Sequence, residues 1–204
     1  MTADNLSEQL EQFNAFYLIK HPVKVNIEAA TEADAKQSLQ AFEQAMPYAF
    51  RIASQMAEVE SRALRPFRSM GEKFDELVDY LQLQAQKMDL MMSYILQQQD
   101  DPACRFTATK FGGGGVVVIQ PSSVALGDYA TIKVFVESEA AAVYAIGQVV
   151  DCQTIEGGDD ESEAAFEVSY AFVLIREDDQ ELLVRASLHL QTAQLRKKQA
   201  KSDD

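Results

Sequence analysis

With 18 Lys and Arg against 32 Asp and Glu, and a formal net charge of −14, this chain has few cations to hold an anion. Where they gather therefore matters. One such place is Lys20-His21-Pro22-Val23-Lys24, a basic approach to a segment in which Val23, Val25 and Ile27 alternate with Lys24, Asn26 and Glu28. A local basic pocket of this kind could take a small anionic ligand, but on their own such lysines are more often the ordinary wet face of a strand. The other candidate is the run Gly112-Gly113-Gly114-Gly115. Consecutive glycines let backbone N–H groups converge on a phosphate. They also serve a tight turn with positive φ and close backbone packing. No helix directly follows the run, which weakens the phosphate reading.

Catalysis has no visible constellation. The two cysteines, Cys104 and Cys152, form no CxxC and no zinc spacing, and both read as small strand hydrophobes. Of the two histidines, His21 sits in the basic approach, and His189 falls on a helical stretch with no Ser or Cys nucleophile at a suggestive spacing. The carboxylates lie mostly in loops and helix starts. The chain reads as a protein without catalytic residues, metal or cofactor. Its acidity opposes binding to a nucleic acid polymer, because each phosphate contact needs a cation. No apolar run is long enough to cross a bilayer, Met1 to Gln12 is acidic and polar rather than signal-like, and free cysteines suit the cytoplasm.

The elements that must position these residues fall into blocks. Residues 1–30 are a lead-in and a first strand starting near Val23. Residues 31–100 are helical. Residues 101–196 are strands and a last helix, and residues 197–204 are a polar tail. Thr31 caps a helix whose stripe is Leu39, Phe42, Met46, Ala49, Ala53 and Met56, and Pro47 should kink or split it. Arg65-Pro66 marks the next break, with Pro66 suited to a first helical position. Residues 32–64 and 66–98 are equal in length, roughly 50 Å each at about 1.5 Å per residue. They read as one long hairpin inserted between two strands of one sheet and ended by Asp100-Asp101-Pro102. Cys104–Thr109, Val116–Ile119, Thr131–Val136, Val143–Cys152 and Phe166–Ile175 then read as strands, with an acidic loop at Glu156–Glu161. Short strands punctuated by glycine predict a small antiparallel barrel. Asp178 and Asp179 open a last helix that buries Leu182, Leu183, Ala186 and Leu190.

The returning arm of the hairpin has the most regular pattern. Phe67, Phe74, Leu81, Met88 and Ile95 fall at heptad position a, and Met70, Leu77, Gln84, Met91 and Gln98 at d. Position e holds Gly71, Val78, Ala85 and Met92, none of them charged. A seam this wide predicts three or more helices about one axis, with the d glutamines giving up stability for register. The alternative is a buried helix within one chain.

The C-terminal half resembles the PilZ domain, a bacterial module that senses cyclic di-GMP. The resemblance rests on Gly114-Gly115-Val116-Val117-Val118, on Val124-Ala125-Leu126-Gly127-Asp128 leading into Thr131–Val136, and on Gly147-Gln148-Val149-Val150-Asp151-Cys152 followed by Tyr170–Ile175. It covers residues 104–196 and the strand at 16–28. A helical hairpin between the first and second strands is similar to the tetrameric branch of the family. The resemblance implies an α+β fold: a PilZ-like antiparallel barrel with a coiled-coil hairpin inserted between its first and second strands, and a C-terminal helix. It also implies a homotetramer.

The ligand motifs of the family are altered. Its Arg-x-x-x-Arg corresponds to Lys20 and Lys24, which keep the charge but lose the planar fork. Its Asp/Asn-x-Ser-x-x-Gly falls on Lys110, Gly112 and Gly115, or in another register on Thr107, Thr109 and Gly112. Neither register has a carboxylate. A lysine cannot accept a hydrogen bond from guanine. The resemblance thus implies a degenerate ligand site of Lys20, Lys24, Arg105, Lys110, Gly112 and Gly115, at which cyclic di-GMP binds weakly or not at all. The leading reading is a non-catalytic signalling adaptor in the cyclic di-GMP pathway, acting on an unidentified protein partner. A true cyclic di-GMP receptor with an altered binding mode and a ligand-free coiled-coil scaffold are the alternatives.

Overall fold

The computed structural model describes residues 3–64, 75–155 and 165–202. The alternation at 23–28 does form a strand, longer than expected: β1 spans Ile19–Ala30. Its ladder with β2 (Arg105–Gly112) slips between Lys20 and Val23. Pro22 lies in that gap, where a missing N–H and a bulge suit each other. Further strands are β3 (Gly115–Gln120), β4 (Tyr129–Val136), β5 (Ala141–Ile155) and β6 (Ala165–Ile175). All pairings are antiparallel, in the closed order β1-β2-β3-β6-β5-β4. The strand before the helical insertion therefore pairs with strands after it on both edges, β2 and β4.

Side chains on the inner face, among them Val25, Phe111, Val116, Ile132, Val143, Val149 and Tyr170, form the main core. The last helix, α6 (Glu177–Ser202), adds Leu183 and Ala186 to it, both fully buried, with Leu182 and Leu190 partly so. The helix continues to Ser202, through most of the stretch read as a polar tail. A first helix, α1 (Ala3–Ala15), lays Phe13 on the outer side of the barrel against Val117, Val150 and Ala171.

The outgoing arm of the insertion is three helices rather than one. They are α2 (Glu32–Ala35), α3 (Leu39–Ala45) and α4 (Tyr48–Leu64). Thr31 caps α2 in a box with Asp34, and Ser38 caps α3 anew. Pro47 splits α3 from α4, as its ring requires. Phe42, Met46, Ala49, Phe50 and Ala53 pack on Phe135, Ala142, Tyr144 and Ile146 of β4 and β5. Leu39 is the exception in the expected stripe and stays exposed. Phe42 lies 5.2 Å from Tyr144, and Phe50 meets Phe135 edge-on at 6.0 Å. The returning arm is α5 (Asp75–Gln97), whose Met92 and Leu96 enter the same cluster. Pro66, Phe67, Met70, Gly71 and Phe74 of the expected heptad helix, and the loop Glu156–Glu161, lie outside the described residues.

Candidate functional site: barrel cations and the hairpin seam

The candidate ligand residues are not gathered in one place. Register sets Lys20 opposite Lys110 and Lys24 opposite Thr107, while Asn26 stands opposite Arg105. Two groups result, at different heights on the β1–β2 ladder. At the lower one, Lys24 Nζ is 3.5 Å from Asp100 Oδ2 and 3.7 Å from Glu137 Oε1. Arg105 Nε donates to Asp100 at 2.9 Å, and Asn26 Nδ2 donates to the same carboxylate at 3.0 Å. Asn26 also accepts from the Asp101 N–H at 2.9 Å and donates to the Asp101 carbonyl at 3.0 Å. Burial alone would raise the Asp100 pKa. Hydrogen bonds from Arg105 and Asn26, with the charges of Arg105 and Lys24, outweigh it and hold the pKa below the ordinary carboxylate value. Asp100 thus stands where an anionic ligand of these cations would stand. It follows α5 directly, so this network also pins the foot of the hairpin to the barrel.

At the upper group, Lys110 Nζ pairs with Glu167 at 3.4 Å. Lys20 has no ion-pair partner among the described residues, and its carbonyl accepts from Gln194 of α6 at 3.1 Å. Of the second-register threonines, Thr109 donates to the Val117 carbonyl at 3.3 Å. Thr107 lines a hollow of about 190 Å³ with His21, Lys24, Glu137 and Leu190. That is below the roughly 300–1,000 Å³ usual for organic ligands. A larger open hollow of about 460 Å³ lies along α6 beside Phe16, Val184 and Leu188, away from these cations.

The glycine run is covered by the chain itself. A Cβ at Gly112 would strike the Tyr17 carbonyl, one at Gly113 would meet Val184 and Phe16, and one at Gly115, where φ is +155°, would strike the Tyr170 carbonyl and Phe13. The Gly114 carbonyl accepts from the Phe172 N–H at 2.9 Å, and Gln180 Nε2 donates to the Gly113 carbonyl at 3.0 Å. This is glycine used for close approach and a tight turn. Phe13 and Phe16 in the lead-in were the available signal for that cover.

Cys152 packs against the inner core, as a small hydrophobe should. Cys104 departs from that expectation. It ends a 3₁₀ turn (Pro102–Cys104) before β2, half-buried, with Sγ 3.6 Å from Glu28, and burial pushes its thiol pKa up. A polar anchor that sequence reading missed joins α4 to α6. Arg176 binds both oxygens of the buried Asp179 at 2.8 and 2.7 Å and donates to Ser54 Oγ at 2.6 Å. Among the described residues, no group of three or more His, Cys, Asp and Glu could hold a metal ion. No described helix is long and apolar enough to cross a membrane.

The heptad residues divide by face. Of the e positions, Met92 is buried in the cluster with α4 and the barrel, and Val78 and Ala85 are half-buried. Leu81 and Gln84 are half-buried. Leu77, Met88, Met91 and Ile95 remain exposed, Met91 by 67%. Gln98 is also exposed. One chain thus buries the e edge at Met92 and leaves Leu77, Met88, Met91 and Ile95 of the a/d seam in water.

Neither a family model nor a curated protein matches the sequence. Solved structures do resemble the fold. A Xanthomonas campestris protein, described as a tetrameric PilZ domain self-assembled via an unusual helical bundle, aligns over 91% of this chain and 96% of its own, at 11% identity and a TM-score of 0.50. The fold is a PilZ-like barrel with an inserted helical arm. Partial overlaps occur with Klebsiella MrkH (20% identity, 46% of this chain and 41% of that one, TM-score 0.39). They occur also with the PilZ domain of Escherichia coli YcgR bound to cyclic di-GMP (17%, 49% and 78%, 0.35). Nothing further rests on these two.

Proposed function

We propose that this protein is a non-catalytic PilZ-type signalling adaptor of the cyclic di-GMP pathway. It assembles as a homotetramer through α5 and acts by contact with another protein in the cytoplasm. The observation that carries the reading is the seam of Leu77, Met88, Met91 and Ile95, apolar at heptad spacing and exposed in the single chain. An apolar stripe of that kind is stable in water only when other helices cover it. The Xanthomonas protein, with the same overall fold, is described as assembling by a helical bundle, which supports the same use of the insertion here.

The ligand part of the reading is that cyclic di-GMP binds weakly or not at all. Lys24 and Arg105 already hold Asp100, Lys110 holds Glu167, and the glycine run lies under Phe13 and Phe16. An incoming phosphate must displace a tethered carboxylate, and a guanine edge finds no acceptor at Lys110, which costs about 1–3 kcal/mol per unpaired buried donor. Calorimetric titration with cyclic di-GMP tests this. We expect no saturation at micromolar ligand, and submicromolar binding contradicts it. In that case the receptor reading takes over, with Lys20, Lys24 and Arg105 as its residues and the smaller hollow beside His21, Lys24 and Thr107 as its place. The change Lys20→Ala with Lys24→Ala must then weaken binding.

A further inference from the structure

The exposed seam does not account for all the apolar surface of α5. Leu83, Leu90 and Tyr94 are 57, 73 and 66% exposed, and with Lys87 they form a stripe spaced four, three and four residues apart. At about 100° of turn per residue, this stripe lies roughly 100° around the helix from the Leu77–Ile95 seam. The edge of Val78, Ala85 and Met92, of which Met92 packs into the chain's own cluster, lies about as far around on the other side. The seam is therefore flanked by the chain's own packing on one side and by uncovered apolar surface on the other. Helix α4 carries a stripe of the same spacing: Tyr48, Ile52, Gln55 and Val59. Tyr48 and Val59 are 69 and 66% exposed, Ile52 is half-buried with part of its side chain against the chain's own cluster, and the Arg51 guanidinium lies 5.3 Å from the Tyr48 ring centre.

Building on the tetramer reading above, we propose that α4 of one copy docks antiparallel on the Leu83–Tyr94 stripe of the neighbouring copy's α5. Antiparallel alignment sets Tyr48 against Tyr94, Ile52 against Leu90, Gln55 against Lys87 and Val59 against Leu83, all at once. Apolar meets apolar, and the single polar residue of each stripe meets the other. Hairpins gathered about an axis parallel to α5 give this alignment without further adjustment. Rotation about such an axis keeps every residue at its own height, and within one chain Ala49 and Ala53 of α4 already share a buried cluster with Met92 and Leu96 of α5. Each copy gives its α4 to one neighbour and receives the α4 of another, a head-to-tail contact that closes as a ring. The assembly is then four central α5 helices with four α4 helices in the outer grooves. A bundle of α5 alone would leave Leu83 and Leu90 in water.

Disulfide trapping tests the contact. In a Cys104→Ser, Cys152→Ser background, Val59→Cys with Leu83→Cys should give covalent dimers to tetramers on a non-reducing gel after mild oxidation. Tyr48→Cys with Tyr94→Cys should do the same at the other end. A protein with the mass of four chains by light scattering that yields only single-chain bands from both pairs overturns the contact and leaves the α5 bundle standing. A protein with the mass of one chain overturns both. As a second measure, Gln55→Lys opposite Lys87 should weaken assembly at low salt by up to about fivefold per contact, and Gln55→Glu should strengthen it. Equal behaviour of the two variants also counts against the contact.

Discussion

Two faces of α5 have similar composition and opposite surroundings. On one, Met92 and Leu96 are 5 and 3% exposed, in one cluster with Phe42, Phe50 and Tyr144. The foot of the helix is held by Asp100 with Asn26, Arg105 and Lys24. On the other, the same helix shows Met88, Met91 and Ile95 to solvent, with Leu83 and Leu90 beside them. The heptad repeat does not distinguish the two faces. The difference lies in what stands behind each: a sheet of the same chain behind the first and, among the described residues, mostly solvent at the second. One stretch of regular apolar spacing thus has one face covered within the chain and one that the proposed assembly would cover.

Changes on the two faces should therefore separate assembly from folding. The largest effect is expected from Met91→Asp. It sets one carboxylate per copy in a shared seam, at several kcal/mol for an unpaired buried charge as an order of magnitude. Light scattering should show single chains, and circular dichroism should show the barrel unchanged. Phe50→Ala acts on the cluster behind the buried face. Measured by urea unfolding in the Met91→Asp background, it should cost about 3–5 kcal/mol of subunit stability. Should Met91→Asp unfold the chain, or Phe50→Ala leave its stability untouched, the division between the two faces is wrong.

Smaller effects are expected at the foot. Asp100→Asn should cost about 1 kcal/mol, because Arg105 and Lys24 are partly exposed and solvent screens their pairing. The folded pKa of Asp100 is held below the unfolded value near 3.9. Its contribution is then complete above the unfolded value and is lost as pH falls through the folded one. The Asn variant should lack that acid-side slope, and matched slopes in urea titrations at pH 3 to 6 would contradict the assignment. Least of all, Lys20→Ala should change stability by under about 0.5 kcal/mol, as an exposed strand side chain without an ion pair among the described residues.

Period-two alternation at Val23, Val25 and Ile27 and in the strands after Pro102 was enough to read the barrel. Matching arm lengths were enough to join β1 to strands far along the chain. The break at Pro47 followed from its ring. The second break, at Lys36–Ser38, did not. Ser38 is a good cap, but a cap residue inside an apolar stripe is unremarkable until the chain has turned. Lys24 and Arg105 were visible as cations, whereas their neutralisation was not, because Asn26 and Asp100 meet across a separation of 74 positions. In the sequence Asp100 reads only as a helix stop. The heptad was legible in its a and d positions. Which flank of it the chain would cover for itself depended on the placement of α4, which no spacing within α5 encodes.

Light scattering of the unmodified protein at micromolar concentration is the direct test of the shared seam. The mass of four chains, falling to that of one in Met91→Asp, is the expected result. A single-chain mass for the unmodified protein would mean that the exposed stripe of α5 is not an interface between copies.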